Sequence, residues 1–239
     1  MLKDYLDSLL PSILHIINTS LEMGIYPSTF NKSLLRPSIK KNPLDQDVFP
    51  NYRPISNLSF LSKTLERLAA KQMDSYLSMN GRYAQMQSAY RKHHSTETAL
   101  VRVFNDITLT IDNHRESILI LLDLSSAFDT IDHNILLHRL HKRFRFSNRP
   151  QSVYIEGIMS SPRHYLSCGV PQGSVLGSML FSMYVAPLED VINSHGLNAM
   201  MFEDDSQIYI FMEERDRQIA IGKMCVKDVM DWNKRNNML

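Results

Sequence analysis

The chain has 239 residues, of which 44% are hydrophobic and 21% charged, with 8 glycines, 10 prolines and 2 cysteines. This composition excludes a disordered, a collagen-like and a disulfide-stapled chain, and the length suits one large domain or two small subdomains. The longest aliphatic run, residues 118–122, is far shorter than the roughly 18 residues of a membrane span, and the N-terminus lacks the pattern of a signal peptide. Because Cys168 and Cys225 are few and unpaired by spacing, we expect a reducing intracellular compartment, the cytoplasm and nucleus.

Charge is unevenly distributed along the chain, although the net charge is only +1. Residues 31–92 contain eleven Lys and Arg residues against four acids, a net charge of +7, whereas residues 1–30 carry −2 and residues 93–239 carry −4. A basic first part and an acidic second part suit a protein that grips phosphates with one lobe and binds cations with the other. Uneven surface charge without a binding role explains the same pattern.

The first half of the chain is predicted to contain three helices and a segment of short strands and loops. Apolar residues at helical spacing predict a helix over residues 1–23, and four prolines favour short strands and loops over residues 31–57. Two more helices are predicted, from Ser62 to Met79 and from about Ser95, a helix-capping residue, to about Ile111.

The second half is predicted to alternate strands and helices. Residues 117–122 form a continuous apolar run that predicts a strand covered on both faces and ended by Asp123. A helix capped by Asp132 follows, and its predicted inner face consists of Leu136, Leu137, Leu140 and Phe144. Two short strands are predicted next, at Ser152–Glu156 and Arg163–Cys168. A glycine-punctuated loop at Gly169–Gly177 then precedes an apolar helix that is predicted to be kinked or to end near Pro187. The last predicted elements are a hairpin of Asn198–Phe202 and Ser206–Met212 with the turn Glu203–Asp205, and a helix at Asp216–Met230. This order predicts the α+β class.

Three carboxylates are candidates for a common site. Asp123 ends the apolar strand, and Asp204 and Asp205 occupy the hairpin turn. Each alone has an ordinary explanation, because Asp is favoured in turns and at helix caps. If the strands are neighbours in one sheet, the three carboxylates converge without an adjacent Lys or Arg, and a cation would relieve their repulsion. Oxygen ligands select Mg²⁺, and two such ions about 3.5–4 Å apart would serve an in-line phosphoryl transfer, so this pattern predicts a nucleotidyl-transfer site.

Five stretches of sequence, taken together and in this order, carry a family resemblance. They are Asn51–Leu58, Gln87–Lys92 with Ser95–Leu100, Leu122–Asp129, Gly169–Gly177 and Phe202–Asp205. With them the chain resembles the reverse transcriptase of non-LTR retrotransposons (LINE elements), of the Jockey and chicken-repeat type. The resemblance covers almost the whole chain.

The resemblance implies an RNA-directed DNA polymerase with a right-hand fold, of which this chain supplies the fingers and the palm. The implied organisation is a helical lead-in at residues 1–30, fingers at 31–116 and palm at 117–239. The implied substrates are an RNA template, a DNA primer and deoxynucleoside triphosphates. The implied cofactor is a pair of Mg²⁺ ions, with Mn²⁺ as an alternative, held by Asp123, Asp204 and the neighbouring Asp205.

The resemblance also implies roles for six residues that contact substrate. Arg53, with Lys40 or Lys41, would hold the incoming triphosphate, and Phe128 would exclude a 2′-hydroxyl group. Gln172 and Gly173 would lie beside the nascent base pair, where glycine permits close approach of the backbone. Without the resemblance, Arg53 is explained as an ion-pair partner and Phe128 as a core residue.

Three departures from the family pattern favour a decayed copy. Compared with the family that it resembles, the chain has a shorter link at Arg145–Gln151, and the resemblance leads us to expect a copy without the thumb after Leu239 and without a preceding endonuclease. In addition, Glu203 occupies the position before the two aspartates, where the family has a small or apolar residue. A fourth carboxylate where the primer phosphate approaches is expected to slow catalysis. The alternative function is therefore a catalytically inactive RNA-binding remnant.

Overall fold

The computed structural model describes residues 5–30, 33–41, 43–124, 128–146, 168–212 and 215–238. Its helices and strands, in chain order, are α1 (Leu6–Met23), β1 (Ser33–Ile39), β2 (Tyr52–Leu58), α2 (Phe60–Met79), α3 (Thr96–Asp112), β3 (Glu116–Asp123), α4 (His133–Lys142), α5 (Gly177–Val185), α6 (Pro187–Ser194), β4 (Asn198–Phe202), β5 (Asp205–Met212) and α7 (Arg215–Arg235). The predicted strands at Ser152–Glu156 and Arg163–Cys168 fall outside the described residues except at Cys168, and so does most of the Arg145–Gln151 link. None of the helices described is both long and apolar enough to cross a membrane.

The proline-rich region forms a two-stranded antiparallel hairpin. β1 pairs with β2 from Ser33 opposite Leu58 to Ile39 opposite Tyr52, which confirms the predicted strands and loops. The following helix, α2, begins at Phe60, two residues earlier than predicted, because the Ser59 hydroxyl accepts a hydrogen bond from the backbone N–H of Ser62 at 3.2 Å.

A second sheet has the strand order β3–β5–β4, with both neighbouring pairs antiparallel. One face of the central strand carries Ile208 and Ile210, which are buried in the largest apolar cluster together with residues of α4 to α7. The opposite face carries Tyr209, which packs with Ala99 and Val103 of α3. Two helical layers therefore hold the central strand between them and fix the position of its first residue, Asp205.

The prediction that β3 is covered on both faces is wrong. The strand lies at the edge of the sheet, where Leu119 is 44% and Leu121 is 67% exposed. Helix α3 covers Tyr209 on this face and leaves the two leucines of β3 accessible to solvent. An apolar run of strand length has the same appearance at an edge as at the centre of a sheet, so the sequence pattern did not distinguish the two positions.

Helix α4 has the predicted cap and one mispredicted inner residue. The Asp132 carboxylate accepts hydrogen bonds from the N–H groups of Asn134 and Ile135 at 2.8 and 3.0 Å, which confirms the cap. Leu136, Leu140 and Phe144 are buried, but Leu137 is 48% exposed, and its assignment to the inner face is wrong. Leu136 and Leu140 are four residues apart and lie on one face of the helix, Phe144 follows just beyond its end, and Leu137 is turned about 100° away from Leu136.

Candidate active site

The three carboxylates lie at one corner of the β3–β5–β4 sheet. Asp123, the last residue of β3, is directly opposite Asp205, the first residue of β5. Residues that oppose each other in an antiparallel pair project from the same face of the sheet. Asp204 belongs to the turn before β5, and its carbonyl accepts a hydrogen bond from the N–H of Leu124 at 3.2 Å. The two strands are thus neighbours, as the convergence of the carboxylates requires.

Like charges meet at this corner. Although the Asp205 side chain is exposed, its partial desolvation raises its pKa, and the negative charges of Asp204 and Asp123 raise it further. A donor set made of carboxylate oxygens fits a hard divalent cation, which would offset this repulsion. Within the part of the chain that the structure describes, however, no three His, Cys, Asp or Glu side chains are grouped so that they could hold a metal ion.

The turn between β4 and β5 consists of Glu203 and Asp204, because Asp205 already pairs with Phe202 as part of β5. The backbone of Glu203 has a φ of +57°, a conformation that residues other than glycine seldom adopt. The Gln87 side-chain N–H donates to the Glu203 carbonyl at 3.3 Å, which helps to hold this conformation. Burial raises the pKa of Tyr90, and the Glu203 carboxylate, with which the Tyr90 hydroxyl interacts, adds to the rise.

The glycine loop Gly169–Gly177 contacts both the β1–β2 hairpin and Asp129. The Gln172 side chain donates to both carboxylate oxygens of Asp129 at 3.2 and 3.3 Å, and its carbonyl accepts from the N–H of Ser56 at 2.7 Å. Gly173 has a φ of +106°, and a Cβ at this position would lie 2.7 Å from the Ser56 carbonyl oxygen. The close approach that requires glycine in this structure is therefore made to the backbone of β2.

Phe128 lies at the margin of the main core. Its ring stacks on Phe181 with centroids 4.8 Å apart and an interplanar angle of 23°. The side chain is half-buried, and the three preceding residues, 125–127, lie outside the described ranges. The packing agrees with the core interpretation, and the gate role stays a prediction.

The three predicted phosphate-binding cations lie towards one end of the β1–β2 hairpin. Arg53 is opposite Ser38, and the backbone N–H of Lys40 donates to the Asn51 carbonyl at 2.8 Å. Arg53, Lys40 and Lys41 are all exposed. No carboxylate among the described residues forms an ion pair with Arg53, so the ion-pair explanation for this residue lacks support.

Sequence reasoning gave no site role to Glu66, Gln87 and Asp129, although each contacts a candidate site segment. Asp129 and Gln87 belong to the motif stretches, where their polar character was the available signal. Glu66 is 8% exposed and follows Leu65 on the inward side of α2. A carboxylate on the buried side of a helix was the signal that could have identified it.

Comparison with known families identifies the class of protein to which this site belongs. A family model described as "Reverse transcriptase (RNA-dependent DNA polymerase)" matches residues 39–239. The chain therefore belongs to the reverse transcriptase family, which generally uses divalent metal ions.

More specifically, its relatives are the RNA-directed DNA polymerases of non-LTR retrotransposons, as the sequence resemblance implied. The chain is 28% identical over 240 residues to the RNA-directed DNA polymerase from mobile element jockey of Drosophila funebris, covering 94% of this chain and 25% of that protein. It is 31% identical over 201 residues to the probable RNA-directed DNA polymerase from transposon X-element of Drosophila melanogaster, covering 79% and 22%. The chain thus spans about a quarter or less of the length of these relatives.

Solved structures show a similar fold. The structure of apo telomerase from Candida tropicalis, truncated from the C-terminal domain, aligns with a TM-score of 0.59 at 13% identity, covering 90% of this chain and 49% of that one. Telomerase from Candida albicans in complex with a TWJ fragment of telomeric RNA aligns with a TM-score of 0.55 at 12% identity, covering 90% and 43%. At this identity the likeness concerns the fold alone, which is the mixed α/β fold of a reverse transcriptase.

Proposed function

We propose that this chain catalyses RNA-directed DNA synthesis, extending a DNA primer on an RNA template with deoxynucleoside triphosphates. The observation that carries the proposal is the direct pairing of Asp123 with Asp205, with Asp204 in the adjoining turn. We assign residues 1–30 to a helical lead-in, 31–116 to the fingers and 117–239 to the palm of a right-hand polymerase. None of the described elements is assigned to a thumb.

Asp123, Asp204 and Asp205 would hold two Mg²⁺ ions, for which Mn²⁺ can substitute. Such ions, when bound, stabilise charge on the attacking and leaving oxygens of a phosphoryl transfer. The chain's own contribution is to place these carboxylates near one another. Partial desolvation, and after it the charges of Asp204 and Asp123, raise the pKa of Asp205, and a bound cation would relieve the repulsion.

Both halves of the chain supply residues that we propose to contact substrate. Exposed Arg53, with Lys40 or Lys41, would bind the incoming triphosphate through charge-assisted hydrogen bonds. Gln172 and Gly173 would lie beside the nascent base pair, supported by their contacts to Asp129 and Ser56. The contact with Ser56 joins the proposed phosphate-binding hairpin to the loop.

The proposed activity is tested by primer extension on homopolymer RNA with Mg²⁺ or Mn²⁺. Asp204→Asn is expected to abolish extension, because it removes a proposed metal ligand. Asp47→Asn is the matched control, since Asp47 is exposed in the loop between β1 and β2 and loses the same charge. Extension that survives Asp204→Asn at the parent rate would contradict the assignment.

Phe128→Val tests the proposed exclusion of ribonucleotides. A smaller side chain leaves room for a 2′-hydroxyl group, so incorporation of ribonucleotides relative to deoxyribonucleotides is expected to rise. Loss of the stack on Phe181 also lowers stability, and a thermal melt run in parallel separates this effect from selectivity. Equal discrimination in the two proteins would remove Phe128 from the gate role.

A second candidate function is that of a decayed copy that binds RNA without catalysis. The observation that favours it is Glu203, which adds a carboxylate next to Asp204 in the turn. An RNA-binding titration performed beside the extension assay distinguishes the two functions. Salt-sensitive binding without any extension, under both Mg²⁺ and Mn²⁺, supports the RNA-binding remnant.

We also propose that the protein acts inside the cell, in the cytoplasm and nucleus. Both cysteines are free thiols, with Cys168 exposed and Cys225 buried. This state is typical of proteins from reducing compartments. Localisation of a tagged chain by microscopy tests the proposal, and accumulation of the chain in the secretory pathway would contradict it.

A further inference from the structure

Glu66 is a buried carboxylate of α2 that contacts a distant segment of the chain. Its Oε2 atom accepts hydrogen bonds from the backbone N–H of Val175 at 2.6 Å, the hydroxyl of Ser174 at 3.1 Å and the N–H of Leu176 at 3.4 Å. Only 8% of Glu66 is exposed, and no cationic side chain of the described residues pairs with it. A buried carboxylate is retained only where donors compensate its charge, and here one loop supplies three donors while the Tyr26 hydroxyl also interacts with the carboxylate.

The donors lie at the N-terminus of α5. The Ser174 hydroxyl accepts a hydrogen bond from the N–H of Gly177, the first residue of α5, at 3.0 Å. The carboxylate of Glu66 therefore faces the positive end of a nine-residue helix, where a negative charge is favoured. Burial raises the pKa of Tyr26 to about 12; the hydrogen bond with Ser62 opposes the rise, and the charge of Glu66 adds to it. The hydrogen bonds of Glu66 thus join α2 to the N-terminus of α5.

The same loop carries Gln172 and Gly173 two to three residues earlier. Its opposite side is attached to β2 by the hydrogen bond from the Ser56 N–H to the Gln172 carbonyl at 2.7 Å. Besides the contact of the Gln172 side chain with Asp129, the loop is therefore held by Ser56 through the backbone and by Glu66 through a charged side chain. Of these two, only the Glu66 contact depends on a side chain that can be replaced without altering the backbone.

We propose that Glu66 is a positioning residue whose charge fixes the loop from Gln172 to Leu176 against α2 and the β1–β2 hairpin. The part of this inference that concerns nucleotide binding rests on the proposed function. Glu66 does not touch the substrate in this account. It acts through the Val175 and Leu176 amides, which hold Gln172 in place beside Asp129.

Hydrogen–deuterium exchange of the whole 239-residue chain tests the hold on the loop without any need for activity. Glu66→Gln keeps the shape of the side chain and removes its charge, and Glu66→Ala removes all of its hydrogen bonds to the loop. Hydrogen bonds to a charged group contribute enough that amide exchange over residues 172–176 is expected to become about tenfold faster in the Ala variant, with a smaller rise in the Gln variant. Glu22→Gln, which changes an exposed glutamate of α1, is the matched control and is expected to leave exchange unchanged.

Two exchange results would overturn the inference. One is unchanged exchange over residues 172–176 in both Glu66 variants. The other is a rise of equal size in α4 with a lower melting temperature, because that result describes general loss of stability and not a local hold.

Steady-state primer extension then tests the consequence for nucleotide binding. In Glu66→Gln the KM for the deoxynucleoside triphosphate is expected to rise several-fold, while kcat and the Kd for an RNA–DNA duplex stay within a factor of two. An unchanged KM in a variant whose loop exchanges faster would overturn the link to the nucleotide. If the parent chain extends no primer at all, the proposed function fails, and the exchange experiment alone still decides whether Glu66 positions the loop.

Discussion

Replacing Asp205 with Asn removes one of the negative charges that meet at the corner of the sheet. Asp205 and Asp123 are directly opposed, so their Cβ atoms are expected to lie about 4.5–5.5 Å apart. Two full charges at that distance repel each other by roughly 3 kcal/mol at an effective dielectric constant near 20. Both side chains are exposed, and solvent screening reduces the recoverable free energy of unfolding to about 0.5–1 kcal/mol. In a chain of this size that gain corresponds to a rise in Tm of about 1–4 °C.

The direction of the pKa shift determines how this gain depends on pH. The pKa of Asp205 is raised in the folded protein, so the carboxyl group binds its proton more tightly folded than unfolded. Stability contributed by this group is therefore present at low pH and is lost as the pH rises through the folded pKa. The advantage of Asp205→Asn is expected to be largest near neutral pH and to disappear in acid, where the carboxyl groups of the parent are protonated.

Thermal melts of the parent, Asp205→Asn and the control Asp47→Asn measure the effect, first in EDTA and then in Mg²⁺. In EDTA only Asp205→Asn is expected to melt above the parent. In Mg²⁺ the parent is expected to gain Tm, because an ion bound by the folded state stabilises it, and the difference between parent and variant should narrow or reverse. A lower Tm for Asp205→Asn in EDTA would refute the repulsion argument and identify Asp205 as a structurally required group. An equal gain for Asp47→Asn would attribute the effect to net charge alone.

Three further predictions concern the hairpin, the loop and the turn. The exposed cations of the β1–β2 hairpin are Lys40, Lys41 and Arg53. Replacing them with Ala is expected to reduce the slope of log affinity for RNA against log salt concentration by roughly 0.7 for each single-strand phosphate that is no longer neutralised. An unchanged slope in an anisotropy titration would place the phosphate-binding groups elsewhere. Gly173→Ala is expected to lower stability in urea denaturation by about 1–3 kcal/mol more than Gly81→Ala, because both positions have positive φ but only Gly173 faces a backbone oxygen at 2.7 Å. Equal losses for the two glycines would show that the loop moves aside. Glu203→Ala is expected to raise the extension rate with little change in Tm, whereas Glu203→Gly should also raise Tm because it relieves a φ of +57°. If neither variant extends faster than an active parent, the fourth carboxylate does not slow catalysis.

The sequence predicted best those features that local chemistry determines. The helix cap at Asp132 and the helix boundary at Pro187 agree with the structure because a carboxylate or a proline ring acts on its own neighbours in the chain. Ser95 likewise forms the predicted cap of α3, with the Thr98 side chain completing a capping box. Such signals need no knowledge of what packs against the helix.

Features that depend on remote packing were predicted less well. The apolar run of β3 contains Leu119 and Leu121, whose exposure follows from the strand order and from where α3 lies. Leu137 was wrongly assigned to the inner face of α4 for a related reason: how much of a helix surface is buried depends on the neighbouring helices. Hydrophobicity predicts that a residue can be buried, but only the topology decides whether it is.

The family motifs acquire a second explanation when their residues are followed through the structure. Gln87 donates to the carbonyl of Glu203, and Ser56 contacts the glycine loop at Gly173. Amides of the same loop donate hydrogen bonds to the carboxylate of Glu66. Most of these contacts involve a backbone group, so they leave no periodic pattern from which a sequence could predict them. Residues distributed along most of the chain thus serve to hold one turn and one loop in fixed positions. Glu203 depends most on such remote contacts. Its backbone has a positive φ and its side chain carries a negative charge, and its carbonyl is held by Gln87, a residue more than a hundred positions away in the sequence.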